Sequence, residues 1–130
     1  MSEYSMHRFV ETLLSHPKYK LLYVPATISY SDREYLMEAI NDRYIIMESD
    51  YNEHILEELK EFYRDMKSHD FFPYDYELYL QPDGRIAMID FDKFGQYNQE
   101  DGMIVIDSVY RTYSVETLLK SQLLPFGFSF

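Results

Sequence analysis

The stretch at 76–91, YELYLQPDGRIAMIDF, constrains this chain more than any other. YELYL and RIAMIDF are short runs of the aliphatic and aromatic residues that strands favour. QPDG between them puts Pro and Gly where turns take them, so the pattern predicts a β-hairpin. Carboxylates bracket it, with Asp70 and Asp75 before the first strand and Asp90 near the end of the second. Either these groups converge on one chemistry, or they are the ordinary solvated ends of a hairpin.

Two helices stand out by their period. In EYSMHRFVETLLS at 3–15, Met6, Phe9, Val10, Leu13 and Leu14 form one apolar stripe, with Ser2 placed to cap and Pro17 just beyond the end. The longest helix starts at Asp50 or Asn52 and runs through YNEHILEELKEFYRDMKSH, with Ile55, Leu56, Leu59, Phe62, Tyr63 and Met66 as its buried face. Glu57, Glu58 and Glu61 fill its solvent side, and Arg64 and Lys67 sit near its C-terminal end, where the helix dipole favours cations. Strands are expected at about 27–31 and 34–40, because Pro25 interrupts any earlier extension. YIIMES is too short to assign by period. DFFPYD reads as a loop around Pro73, DKFGQYNQEDG as a polar loop and MIVIDSVY as a last strand. Ser114 should cap a short helix over VETLLKSQ, and the apolar end LLPFGFSF should dock on the core or on a partner. His7 and His54 read as solvated helix positions.

With 130 residues and 46% hydrophobic content, a single domain at 1–130 with one core is the expectation. Acidic residues outnumber basic ones by 23 to 12, for a net charge of −11. Nucleic-acid binding replaces counterions with basic residues, so this balance argues against it, and against an anionic membrane surface. A basic protein partner or a divalent metal suits it better. With no cysteine, disulfides, thiolate metal sites and Cys nucleophiles drop out. The polar start MSEYSMHRFVETLL is no secretory signal, and no run approaches the roughly 18 apolar residues of a membrane span. The expectation is a cytoplasmic, reducing compartment.

The order helix, strand pair, long helix, Asp loop, hairpin, Asp resembles the central part of the protein-kinase-like fold, in particular aminoglycoside phosphotransferases and lipopolysaccharide kinases. His69-Asp70, Pro73 and Asp75 look like the catalytic loop H-x-D-x-x-P-x-N, and IAMIDFD looks like the metal-binding end of the following hairpin. The resemblance implies an α+β fold: a kinase-like central fragment with a small antiparallel sheet and hairpin packed on two main helices. It implies Asp70 as the base that orients or deprotonates an attacking hydroxyl. Asp75 and Asp90 would be the ligands of Mg, and Glu38 the hinge position against ATP. Their carboxylates would then share one ion at oxygen–metal distances of ~2.0–2.6 Å.

The departures have chemical weight. His69 adjoins Asp70 directly, Asp75 stands where those families have Asn, and there is no glycine-rich loop among four glycines that begin at Gly84. No Lys precedes the first helix to pair phosphates, and the late helices of the large lobe are missing. Without a phosphate cradle, most of the electrostatic preorganisation for phosphoryl transfer is lost. The expectation is therefore a truncated, catalytically degenerate kinase-like protein that acts through protein–protein interaction. Two alternatives stay open: a minimal Mg-dependent phosphotransferase completed by another chain, and an acidic inhibitor or immunity-type protein that covers a basic partner.

Overall fold

The computed structural model describes residues 3–31, 35–74, 76–90, 94–106 and 111–120. In chain order these form α1 (Glu3–Leu14), β1 (Leu22–Tyr23), β2 (Thr27–Tyr30), β3 (Tyr35–Met37), a single 3₁₀ turn (Glu48–Asp50) and α2 (Glu53–Ser68). There follow β4 (Phe71–Pro73), β5 (Glu77–Leu80), β6 (Ile86–Ile89), β7 (Phe94–Tyr97), β8 (Met103–Ile106), β9 (Arg111–Ser114) and α3 (Val115–Lys120). The class is mixed α+β with small sheets. The chain divides into two compact units, Met1–Ile46 with Tyr76–Asp92, and Met47–Asp75 with Lys93–Phe130. Among the described residues no helix is long and apolar enough to cross a membrane.

The first unit is built on the expected hairpin. β5 and β6 pair antiparallel with Leu80 opposite Ile86 and Glu77 opposite Ile89. Gly84 takes φ +86, which a side chain would resist, and its N–H donates to the Gln81 carbonyl at 2.9 Å. The Asp83 carboxylate accepts from the Arg85 backbone N–H at 2.9 Å and from its guanidinium at 2.8 Å. These hydrogen bonds hold the Asp83 carboxyl below the usual range and the Arg85 guanidinium above its own. Arg85 also lies 4.2 Å over the Tyr23 ring. On its other side β6 takes β1 in parallel, Leu22 against Ile86. β5–β6 gives the expected antiparallel hairpin, to which β1 adds a parallel partner: a two-residue strand is too short to carry a sequence period, and it docks on the buried strand in the parallel sense.

YIIMES, unassigned by period, has a definite task in its first three residues. The Ile46 N–H donates to Leu78 O at 2.8 Å, and the Leu80 N–H donates to Tyr44 O at 2.9 Å. The buried Gln81 amide fastens the chain just before this segment, accepting from Asn41 N–H at 3.0 Å and donating to Asn41 O at 2.9 Å. The outer edge of β5 is therefore covered and not left to pair with another chain.

α1 buries Met6, Val10 and Leu14 as its spacing requires. His7, expected in solvent, is instead fully buried, its Nε2 2.9 Å from the Pro25 carbonyl. Glu11, one turn on, accepts from the Thr27 N–H at 3.0 Å. Polar residues of α1 thus satisfy backbone groups at the start of β2, which pattern reading cannot foresee. The two-stranded ribbon β2–β3 leaves Ile28 and Leu36 exposed.

In the second unit, Asn52 and not Asp50 caps α2, its side chain accepting from Ile55 N–H at 3.0 Å. Ile55, Leu59, Phe62, Tyr63 and Met66 are buried, each contributing about 1.5–3 kcal/mol by leaving water. Leu56, counted with that stripe, stays half-buried. α2 packs against β4, where Phe72 meets the Tyr63 ring at 5.3 Å between centroids. The sheet order is β4-β7-β8-β9. Both expected loops are corrected in part: Phe71–Pro73 of DFFPYD is strand β4, and Phe94–Tyr97 of the polar segment is β7, its antiparallel partner. Ser114 caps α3 as expected, its Oγ accepting from Thr117 N–H at 3.2 Å. Residues 107–110 of MIVIDSVY and the tail LLPFGFSF lie outside the described residues.

Gly95 of β7 leaves no room for a side chain: a methyl group there would overlap Cγ2 of the fully buried Ile104 in β8. Gly95→Ala should destabilise the chain by about 1–3 kcal/mol, read as a drop in the urea midpoint with an unchanged slope. A variant as stable as the parent would show that these strands are not this close.

Candidate functional site

Asp90 follows β6 and is half-buried. Its backbone is left-handed at φ +72. Asp70 also has positive φ, +62, and these are the two non-glycine residues in that region among those described. Such a conformation costs an ordinary L-residue ~1–2 kcal/mol, less for Asp and Asn, whose short side chains bond locally. For Asp70 the local reason is plain. α2 ends at Ser68 with His69 as its C-cap, the Asp70 N–H bonds back to Lys67 O at 2.9 Å, and a left-handed residue reverses the chain there.

The surroundings of Asp90 were only partly foreseen. β5 places Glu77 and Tyr79 on one face, two residues apart, and the register sets Glu77 opposite Ile89, next to Asp90. The Tyr79 hydroxyl donates to Glu77 Oε2 at 2.7 Å. That hydrogen bond, then desolvation and the negative charges of Glu77, Asp42 and Asp90, push the Tyr79 phenol up to about 12. Asp90, Asp42 and Glu77 thus all act on the Tyr79 phenol, which stays a neutral donor to Glu77. Sequence reading named Asp90 alone. The alternation E-L-Y in YELYL was the available signal for the other two strand residues.

Asp70 is exposed, on the second unit. Its Oδ1 accepts from Gln99 Nε2 at 2.9 Å, and its carbonyl accepts from the Tyr97 N–H at 2.8 Å. It lines an open depression of about 590 Å³ with His69, Phe71, Gln96, Asn98 and Gln99. A base for an attacking hydroxyl must be within hydrogen-bond reach of it, and this exposed carboxylate is approachable. Glu38 is exposed in the first unit, just past β3, with its N–H already donating to Ala26 O at 2.8 Å. A hinge contact at Glu38 would thus have to use groups other than this N–H. Asp75 lies outside the described residues. Among the described residues no group of three or more His, Asp and Glu is placed to hold a metal ion.

Comparison with protein-family models, with curated proteins and with solved structures finds no match for this chain.

A raised phenol pKa has a definite consequence for stability. Tyr79 is protonated in the folded and the unfolded chain below pH 10, so its contribution is complete there. It is lost as the pH rises from 10 towards 12, where the unfolded phenol ionises first. Glu77→Gln should lower the Tyr79 pKa towards 10, measured by NMR titration of ring-labelled tyrosine with Tyr79→Phe to assign the signal. A Tyr79 resonance that titrates identically in Glu77→Gln would show that Glu77 does not act on this phenol.

Proposed function

We propose that this chain is a catalytically degenerate protein-kinase-like domain that works by binding another protein. The observation that carries the reading is the backbone of Asp70 and Asp90. Of the three aspartates singled out by the motif resemblance, Asp70 and Asp90 are also the two non-glycine residues held in left-handed conformations among those described, and Asp75 lies outside the described residues. Strained backbone of this kind concentrates at functional sites, and it outlasts the function if the fold has been built around it.

The order of elements supports the same reading: a long helix, a turn carrying Asp70, a hairpin, then Asp90. Degeneracy follows from chemistry. These 130 residues hold no glycine-rich loop, and the negative charges of Asp42, Glu77 and Asp90 all act on the Tyr79 phenol. Carboxylates of this density repel ATP unless a metal is bound first. An excess of acid over base, 23 to 12, directs the chain to a basic partner.

The alternative of a Mg-dependent phosphotransferase completed by another chain rests on the same Asp90 and makes a different prediction. Thermal unfolding of the parent and of Asp90→Asn, each with and without Mg and ATP, separates them. A relic carboxylate crowded by like charges predicts that Asn, which tolerates the same backbone, stabilises the chain by roughly 0.5 kcal/mol and that Mg with ATP shifts neither midpoint. A magnesium-dependent rise in the parent that Asp90→Asn abolishes would favour the phosphotransferase. A fall in Asp90→Asn with no nucleotide effect would make Asp90 an ordinary structural residue and remove the kinase-like reading.

A further inference from the structure

α2 has a second face. Besides the buried stripe, Glu53, Leu56, Glu57 and Lys60 recur at i, i+3, i+4 and i+7 and so share one side of the helix. The segment from Met47 to Tyr51 stands beside that face, and together they line an open groove of about 940 Å³. Its wall is a made structure: the Asp50 carboxylate accepts from Met47 N–H at 2.9 Å, and the Asp50 N–H donates to Met47 O at 2.9 Å. The Asn52 cap then fixes where the helix begins.

The lining has two parts. Leu56 is half-buried and Met47 is 51% exposed, so an aliphatic surface remains for a guest side chain. Methionine adapts its shape to whatever is inserted. Around it stand Glu48, Glu53 and Glu57, which pair with no cation among the described residues, against one ammonium group, Lys60. Burial and the charge of Asp50 push the Tyr51 phenol up to about 12, so it remains a neutral donor in the groove. The positive end of the α2 dipole is offset by Glu53 in its first turn. The groove is too open to enclose a small molecule, which such sites bury by 70–90%. A protein segment needs no such enclosure.

We infer that this groove docks a cationic segment of a partner protein, its lysines and arginines meeting Glu48, Glu53 and Glu57 and one aliphatic side chain seated between Leu56 and Met47. The inference rests on the protein-binding reading above and specifies where the partner sits and what it carries. Charge complementarity selects the occupant: the net charge of −11 steers a basic segment towards the chain, and the unpaired glutamates fix its place. The aliphatic anchor provides the desolvated centre that binding energy concentrates in.

The test uses the full chain and a short fluorescein-labelled peptide of lysines and arginines around a central leucine, followed by fluorescence anisotropy at physiological ionic strength. Glu53→Gln with Glu57→Gln should weaken binding roughly three- to tenfold. Glu100→Gln with Glu116→Gln, an equal change in charge away from the groove, should alter it less than about twofold. Leu56→Ala should weaken the leucine peptide and leave its glycine counterpart unchanged. Equal losses in both charge variants would mean that only net charge is felt and would overturn the groove, as would absence of binding. The midpoint measurement on Asp90→Asn reads the other unit, so a failed groove leaves the degenerate-kinase reading standing, and a failed Asp90 result leaves the anisotropy result intact.

Discussion

β6 is the strand on which the first unit depends. It bonds to β5 on one edge and to β1 on the other, and Ile86, Ala87 and Met88 are fully buried. A strand so placed cannot shift by one residue without turning its apolar side chains to the opposite face. Its register is set at the turn, where Gly84 supplies the positive φ and Asp83 closes on Arg85. The position of Asp90 is inherited from that constraint, as is the meeting of Glu77 and Tyr79 beside it. A site carboxylate at the end of a strand buried on both edges is held by the whole sheet and not by its own side chain.

The two units present their charge differently. In the first, Asp42, Glu77 and Asp90 act on one phenol, and a neutral hydroxyl donates into a group of carboxylates. In the second, Glu48, Glu53 and Glu57 border an aliphatic patch on a helix and a turn. The first arrangement keeps a phenol neutral beside carboxylates. The second suits a guest that brings both charge and an apolar side chain. The same acidic composition therefore takes two arrangements, and net charge alone does not distinguish them.

How much was legible in the sequence depends on whether a residue's partner is near it in the chain. The β5–β6 hairpin was readable because its turn chemistry and both strands are contiguous. The buried face of α2 was readable because a 3.6-residue period repeats over four turns. β1 and β4 were not, since two or three residues carry no period and gain their strand character only from a distant partner. His7 was misplaced because its acceptor, the Pro25 carbonyl, lies eighteen residues away. Leu56 satisfied the apolar pattern yet stayed at the edge of it, and that departure is what forms the groove floor. At the site, Asp90 was found through I-D-F, while Glu77 and Tyr79 needed the cross-strand register. The convergence expected of Asp70, Asp75 and Asp90 on one ion stays an expectation, because Asp75 falls outside the described residues.

Native-state hydrogen exchange tests the role of β6 most directly. The amides of Ile86–Ile89 should be the slowest to exchange in the first unit, while those of the β2–β3 ribbon exchange far faster, because a lone two-stranded ribbon is marginal in water. Amides of β6 that exchange as fast as those of the ribbon would contradict that role, since Asp90 would then hang on a strand that opens as readily as the surface.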